Sequence, residues 1–395
     1  MRPPTGLISE AHDGVRQLYG NAIGRYRREL ITPALVLELD VLLANLRYME
    51  SRLADLTAGV RAHVKTHKSP HIMRLQLEHG AMGVCTATIW EAIVMAQAGA
   101  EDILIANQLV NPEKRRAAAV LARTLTLRVN VDDVSDVEAL SAAAVAAGST
   151  IGVLVEVDTG MHRSGVDSGA EALGLARRIT ELPGVRMDGL SGYEGHCSLE
   201  LDRERRHEMQ RQAMAYFVSV AEHLEANGVP CAILSAAGTG TAFWTGTTPR
   251  ITELQLGSYA AMDDYHVLLE PSFGIATSGV ATVISRSPDR LVLDLGSKTF
   301  GGASTEGPPS NPRIWGHEDL KAFRYDEEHA IFVVDETCPL KVGDVVDFHM
   351  GYTPSGVNYF DAYHVVEDEQ VVDIWPIMPR GPQHGGLMEL IDQAG

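Results

Sequence analysis

The chemistry of this chain starts from a lysine at the end of an alternating run. In Arg61-Ala62-His63-Val64-Lys65-Thr66-His67-Lys68-Ser69, the residues Val60, Ala62 and Val64 alternate with Arg61, His63 and Lys65. Strand side chains point to opposite faces with period two, so one face of this run is apolar and the other basic. A turn and the amphipathic segment Pro70 to Leu77 follow. In an α/β barrel that is where a strand hands over to its loop, and an inward basic face would put an amine at the mouth that carries chemistry. Most lysines are solvated surface residues. Strand parity separates Lys65 from Lys68 and makes His63 its neighbour in the lumen.

Three other stretches carry groups that suit one ligand. Asp158-Thr159-Gly160-Met161-His162-Arg163-Ser164-Gly165 turns on two glycines after a strand, and an arginine there can fix a phenolate or carboxylate through its fork. Tyr193-Glu194-Gly195-His196-Cys197 ends another strand, where Tyr193 or His196 can stack on or donate to an aromatic ligand. Ser235-Ala236-Ala237-Gly238-Thr239-Gly240-Thr241 offers unhindered N–H groups and hydroxyls, as a phosphate requires, and Gly257-Ser258-Tyr259 would complete the same cradle. Each stretch alone reads equally well as a turn or a structural residue. Together, an amine, an arginine, a His/Tyr pair and a glycine-rich anion site fit pyridoxal 5'-phosphate (PLP), whose aldehyde forms an imine with an amine and whose phosphate seeks amides and hydroxyls.

The elements that must position these groups alternate. Ala34 to Leu39 reads as a strand, and Asp40 caps a helix with apolar positions at Leu43, Leu46, Met49 and Leu53. Strand-like runs recur at Val60 to Lys65, Gly83 to Thr86, Ile103 to Ala106, Leu127 to Val131, Gly152 to Val157, Val185 to Tyr193, Ala232 to Ser235 and Thr252 to Leu256. Helical stretches lie between them at Glu91 to Ala98, Glu113 to Ala122, Val137 to Ala147, Ala170 to Leu182 and Glu204 to Asn227. About eight strands with intervening helices predict a closed parallel (β/α)8 barrel. Leu127 to Asp132 and Val153 to Asp158 repeat the two-faced pattern, which between helices implies a polar-lined lumen. After about residue 270, Thr277 to Ser285, Arg290 to Leu295, Ile331 to Val334, Val345 to His349 and Val371 to Trp375 read as strands without long helices between them. The expected division is an N-terminal helical extension over 1–30, the barrel over 31–268 and a β-rich domain over 269–395. The proline-containing insert Gly301 to Asp319 is expected to be a loop leaning on a site or an interface.

A net charge of -19 over 395 residues argues against phosphate-backbone binding and against anionic membrane surfaces, both of which need clustered Lys and Arg. No run approaches the length of a membrane span, and the start leads into no signal-peptide core, so a cytoplasmic protein is expected. Cys85, Cys197, Cys231 and Cys338 are scattered without metal-type spacing, which predicts reduced thiols.

The runs His63 to Ser69, Gly83-Val84-Cys85-Thr86-Ala87-Thr88 with Glu91, Gly238-Thr239-Gly240-Thr241 and Thr252-Glu253-Leu254-Gln255-Leu256-Gly257-Ser258-Tyr259 together resemble the D-threonine aldolase and eukaryotic-type D-serine dehydratase family. That family has the alanine-racemase-like, fold type III architecture, and the resemblance covers roughly residues 30 to 385. Asp158 to Arg163 is similar to the matching turn of alanine racemases. The resemblance implies Lys65 as the Schiff-base lysine, Arg163 as partner of the cofactor O3', and Gly238 to Thr241 with Gly257 to Tyr259 as the phosphate cup. It also implies a homodimer with sites at the subunit interface. Family members hold a divalent metal through a His-x-Cys or His-x-Asp pair followed by Pro. Here the equivalent run is His349-Met350-Gly351-Tyr352-Thr353-Pro354-Ser355-Gly356-Val357-Asn358. Gly351 with Thr353, or Tyr352 with Pro354, falls at the ligand positions, and neither pair ligates as His with Asp or Cys does. No metal ligand is therefore assigned, and His349 would serve only if the loop shifted.

The expected activity is a PLP-dependent lyase acting on a D-configured β-hydroxy-α-amino acid, by retro-aldol cleavage or by dehydration and deamination. Lys65, His63, Tyr193 and His196 are the catalytic candidates. Lys65, Arg163, Tyr193, Ser235, Gly238 to Thr241 and Gly257 to Tyr259 are the cofactor candidates. Metal-independent racemisation, with Tyr193 or His196 opposite Lys65, is the alternative. A non-catalytic PLP carrier is a third reading, against which the β-rich second domain argues.

Overall fold

The computed structural model describes residues 6–300, 311–317 and 319–381. Most of the insert Gly301 to Asp319 lies outside the described residues. The chain opens with a helix, Gly6–Tyr19, followed by β1 (Ala34–Glu38). Eight strands then close a parallel barrel: β2 (Gly59–His63), β3 (Gly83–Thr86), β4 (Asp102–Ile105), β5 (Thr126–Val131), β6 (Ile151–Glu156), β7 (Val185–Gly192), β8 (Ile233–Ala236) and β9 (Glu253–Leu256). Pairing of Val60 with Leu254 and Arg61 with Gln255 joins the last strand to the first and closes the ring.

The expected (β/α)8 barrel is present, and the expected helices form within a few residues of the predicted bounds. Their starts follow from side-chain caps: Thr88, Asn111, Asp133, Ser168 and Asp202 each accept from an amide in the first turn of the next helix. Asp40 departs from the expectation. The helix Leu39–Leu53 begins two residues earlier, with Glu38 at the cap position. Asp40 lies in the first turn, where a carboxylate still meets the positive end of the helix dipole.

The second sheet runs β13 (Lys321–Tyr325), β14 (Ala330–Val333), β11 (Arg290–Leu293), β10 (Thr277–Ser287), β1, β16 (Ala362–Glu367), β17 (Gln370–Pro376). Beside it β15 (Val345–His349) pairs with β10, and β12 (Arg313–Ile314) pairs with β15. Thus β1 belongs to this mixed sheet, antiparallel to β10 and parallel to β16. The stretches that form β13 and β16 carry no strand expectation. The strand ordering ties the first and last segments of the chain together and sets the second sheet against the barrel. One tether is direct: the buried Tyr363 hydroxyl of β16 donates to the carbonyl of His67 at 2.9 Å, next to the loop that carries Lys65.

Candidate active site

The barrel interior is built in layers, and the lowest is ionic. Arg61 is 1% exposed and pairs with Asp102 at 2.7 Å and Glu253 at 2.8 Å. Arg128 pairs with Asp102 and with Asp188. The basic face of β2 is therefore inward, as its parity requires, and Arg61 is neutralised at the amino end of the ring. Above it Gln255 donates to Ser191 and Ser235 at 3.2 and 3.0 Å. Asn130 donates to Ser191 at 3.1 Å.

The upper layer opens into a cavity of about 580 Å³ at the carboxyl ends of the strands. Of the predicted residues, His63, Lys65, Arg163, Tyr193, Gly238, Thr239, Gly240, Gly257 and Ser258 line it. β2 ends at His63, two residues earlier than expected, and Lys65 sits in the single 3-10 turn Val64–Thr66 that turns the chain into the cavity. Lys68 is occupied elsewhere, paired with Glu91 at 3.0 Å and donating to the carbonyl of Pro379 at 2.8 Å. Lys65 Nζ lies 5.9 Å from the centre of the Tyr193 ring and the Arg163 guanidinium carbon 5.5 Å from it, so both basic side chains stand within reach of its π face.

Electrostatics follow from this placement. Burial, with the nearby Arg163 charge adding to it, lowers the Lys65 amine below the usual lysine range. Burial and the Lys65 charge together hold His63 well below the ordinary histidine value, so its ring is neutral. Burial also pushes the Tyr193 phenol up to about 12. The site therefore presents an amine biased towards its nucleophilic form beside a protonated phenol.

Four predicted residues stand behind the wall. Ser235 accepts from Gln255, and the Thr241 hydroxyl donates to the buried Glu194 at 2.7 Å. The Tyr259 amide donates to Thr239 Oγ1 at 3.1 Å, which joins the two glycine-containing turns, while its side chain is buried. His196 does not line this cavity. Its ring packs over Gly160 and lines a separate hollow with Asp158 and His162, because the turn Gly195–Leu199 carries the imidazole away from the lumen.

Glu156, Gln108, Ser164, His266 and Tyr352 also line the cavity; of these the sequence singles out only Tyr352, as one of the residues at the expected ligand positions. Glu156 accepts from Ser164 at 2.8 Å and Gln108 at 2.7 Å and lies 3.7 Å from Arg163, which positions the arginine. Its signal was present in the polar parity of Val153 to Asp158. His266 and Tyr352 lie in short turns without periodicity and carried no such signal.

The expected family features can now be compared with known proteins. A model described as the alanine racemase N-terminal domain matches residues 37–264, and one described as a serine dehydratase domain matches residues 276–366. The chain is 37% identical over 356 residues to D-threonine aldolase of an Arthrobacter species, covering 89% of this chain and 93% of that protein. The chain belongs to the D-threonine aldolase family. It is also 31% identical to the 3-hydroxy-D-aspartate aldolase of Paracoccus denitrificans, over 91% of this chain and 94% of that one. The crystal structure of D-threonine aldolase from Filomicrobium marinum superposes with a TM-score of 0.85 at 32% identity, covering 91% of this chain and 98% of that chain.

The family is PLP-dependent, and the residues present fit that cofactor. Among the described residues, buried Thr66 Oγ1, His63 Nδ1 and Asn130 Oδ1 have no hydrogen-bond partner, although buried polar groups are nearly always paired. A Cβ on Gly257 would stand 2.3 Å from the His63 carbonyl oxygen and 2.8 Å from Thr66 Oγ1, and one on Gly238 would stand 3.1 Å from the Tyr193 ring. The two turns can approach the His63 carbonyl, Thr66 and the Tyr193 ring this closely only without side chains, and such side-chain-free turns are what a phosphate's close approach to amides and hydroxyls requires.

The His349 to Asn358 run, where the family's ligand pair is expected, has taken other partners. His349 Nδ1 lies 3.3 Å from Asp264 with its ring stacked on Trp315, and Thr353 Oγ1 donates to the Met262 carbonyl at 2.8 Å. Tyr352 is the residue of this run that lines the cavity. Among the described residues no cluster of three or more His, Cys, Asp or Glu side chains suited to a metal is found. Also among them, no helix is long and apolar enough to cross a membrane.

Proposed function

We propose that the protein is a PLP-dependent lyase acting on a small D-β-hydroxy-α-amino acid. The observation that carries this reading is the lowered amine of Lys65 beside a side-chain-free amide and hydroxyl cradle, in a chain similar to D-threonine aldolase over nearly its full length. Bound PLP supplies a sink for negative charge at the substrate Cα. Lys65 would hold the cofactor aldehyde as an imine. Gly238, Thr239, Gly240, Gly257 and Ser258, with Thr66, would receive the phosphate through amides and hydroxyls, while Thr241 and Tyr259 hold the two turns from behind through Glu194 and Thr239. Arg163, steadied by Glu156, would offer its fork to the cofactor's O3', and Tyr193 would pack against its ring. Ser235 acts from below through Gln255.

The 349–358 run is read as carrying no metal, since Gly351 has no side chain and Thr353 is committed to Met262. We further infer a homodimer. Leu199 lines the cavity yet is 55% exposed, which a covering subunit would explain. The four unpaired cysteines support a reducing cytoplasmic location. The division into 1–30, 31–268 and 269–395 describes the supply of parts: the middle segment provides the cradle, and the last brings Tyr352.

Borohydride reduction of the holoenzyme followed by peptide mapping should label Lys65, and an unlabelled Lys65 refutes the cofactor role. D-threonine, D-serine and 3-hydroxyaspartate, each with and without EDTA, should yield glycine and aldehyde or ammonia and a keto acid. A racemase reading is favoured by one feature, the Lys65 and Tyr193 pair flanking a single cavity. Deuterium entering Cα of recovered substrate with inverted configuration and no bond cleavage would establish it instead.

A further inference from the structure

Two adjacent aspartates at the end of the barrel point in different directions. Asp264 pairs outward with Arg313 at 2.6 Å and His349 at 3.3 Å. Asp263 is fully buried and holds His266, with His266 Nδ1 at 2.8 Å from Oδ1 and 2.9 Å from Oδ2. Asp263 also accepts from the amides of Tyr265, His266 and Thr353 at 3.1, 2.7 and 2.8 Å. A carboxylate so fixed places the proton on Nδ1 and leaves the Nε2 lone pair of His266 as the reactive site. That ring lines the cavity and stacks on Tyr352, with centroids 5.5 Å apart and planes 20° apart, so it cannot swing freely. The turn that carries it is anchored at the cradle: Tyr265 donates to the carbonyl of Ser198, and Leu269 packs against Gly240.

A lyase of β-hydroxy amino acids needs a group to accept the hydroxyl proton, and the 349–358 run offers none. We propose that His266, held by Asp263 and walled by Tyr352, is the base that takes the proton from the substrate's β-hydroxyl. This rests on the lyase reading. As Nε2 takes the proton, the O–H electron pair forms the carbonyl and the Cα–Cβ bond breaks. Its electron pair passes to Cα, where a proton completes glycine, and the aldehyde leaves. Asp263 is a positioning residue for this step, and Tyr352 keeps water from the imidazole.

The test compares holoenzyme with His266→Gln and Asp263→Asn variants in EDTA. Three quantities are read: cofactor absorbance, exchange of glycine α-protons into D2O, and aldehyde release from D-threonine. Glycine exchange needs Lys65 and the cofactor but no base for a β-oxygen. A general base contributes about 100- to 10,000-fold, so His266→Gln should lose at least about 100-fold in aldehyde release while cofactor absorbance and glycine exchange stay within about threefold. Asp263→Asn, which keeps the ring but not its tautomer, should lose aldehyde release by a smaller factor with exchange likewise retained. Aldehyde release within threefold of wild type, or equal losses of exchange and release, would overturn the assignment. Wild-type enzyme that exchanges glycine but cleaves no β-hydroxy amino acid would overturn the lyase reading itself, and the role of His266 with it.

Discussion

Thr66→Val gives a sharp test of the cradle because its two effects should have opposite signs. Thr66 is 1% exposed and its hydroxyl has no partner among the described residues, next to the site that a Gly257 side chain would fill. Leaving a buried hydroxyl unpaired costs about 1–3 kcal/mol, and an apolar isostere removes that cost. The apoprotein should therefore gain roughly 1 kcal/mol, seen as an unchanged or raised Tm by calorimetry. In the loaded protein the hydroxyl donates to a charged phosphate, a bond worth about 1.5–3 kcal/mol, so PLP affinity should fall by about 10- to 150-fold. Absorbance titration of apoprotein with PLP reads the second quantity directly. An apoprotein destabilised by more than about 1 kcal/mol would show that Thr66 has a structural partner instead. Unchanged PLP affinity would place the phosphate elsewhere and refute the cradle.

Three further outcomes follow from the same geometry. Arg61→Met leaves Glu253, 2% exposed, without its guanidinium, and should destabilise the protein by about 3–5 kcal/mol, with part recovered in Arg61→Met/Glu253→Gln; a thermally unchanged single variant would contradict the ionic floor of the barrel. Gly257→Ala forces a methyl towards the His63 carbonyl, which as backbone cannot yield, so about 1–3 kcal/mol of stability and most PLP binding should be lost; calorimetry and absorbance titration check both. His67 accepts from the Ser69 amide through Nδ1 and bonds Gln76 through Nε2, and burial lowers its pKa to about 4 from 6.5. Because the unfolded chain binds that proton first, the stability from neutral His67 is fully present above pH 6.5 and falls as pH drops towards 4, by on the order of 3 kcal/mol. His67→Asn should flatten that limb of a Tm-against-pH curve, and an identical slope would show that other groups govern it.

The barrel was legible because its signals are local. Period-two alternation over residues 60–65 sets the inward face of β2, and helical stretches recur between the strand-like runs. Lys65 was legible by the same parity, although the chain has already left the strand for a 3-10 turn when it reaches that residue. Parity along a strand therefore carries one turn beyond it only because the turn is tight. His196 shows where such reasoning fails. Its position after β7 resembles that of Tyr193, but a turn of five residues rotates it to the far side of Gly160. The allegiance of β1 was hidden for another reason: hydrophobic alternation shows that a strand forms, whereas its neighbours, β10 and β16, lie some 240 and 330 residues away in the chain.

The 349–358 run joins these two lessons. Its spacing places Gly351 with Thr353, or Tyr352 with Pro354, where the family's ligand pair is expected, but spacing says nothing of what occupies the space. That is decided by hydrogen bonds across the chain. The Thr353 amide and the His266 ring both reach Asp263, at 2.8 Å each, and those two bonds set Tyr352 over the barrel mouth against His266. A buried carboxylate that accepts from backbone on both sides of a domain junction fixes the relative position of the two domains at the point where chemistry is needed. On the proposed reading the second domain would share in the active site: it contributes one wall of the cavity, Tyr352, and through the Thr353 amide on Asp263 it helps to hold the orientation of the proposed base, His266.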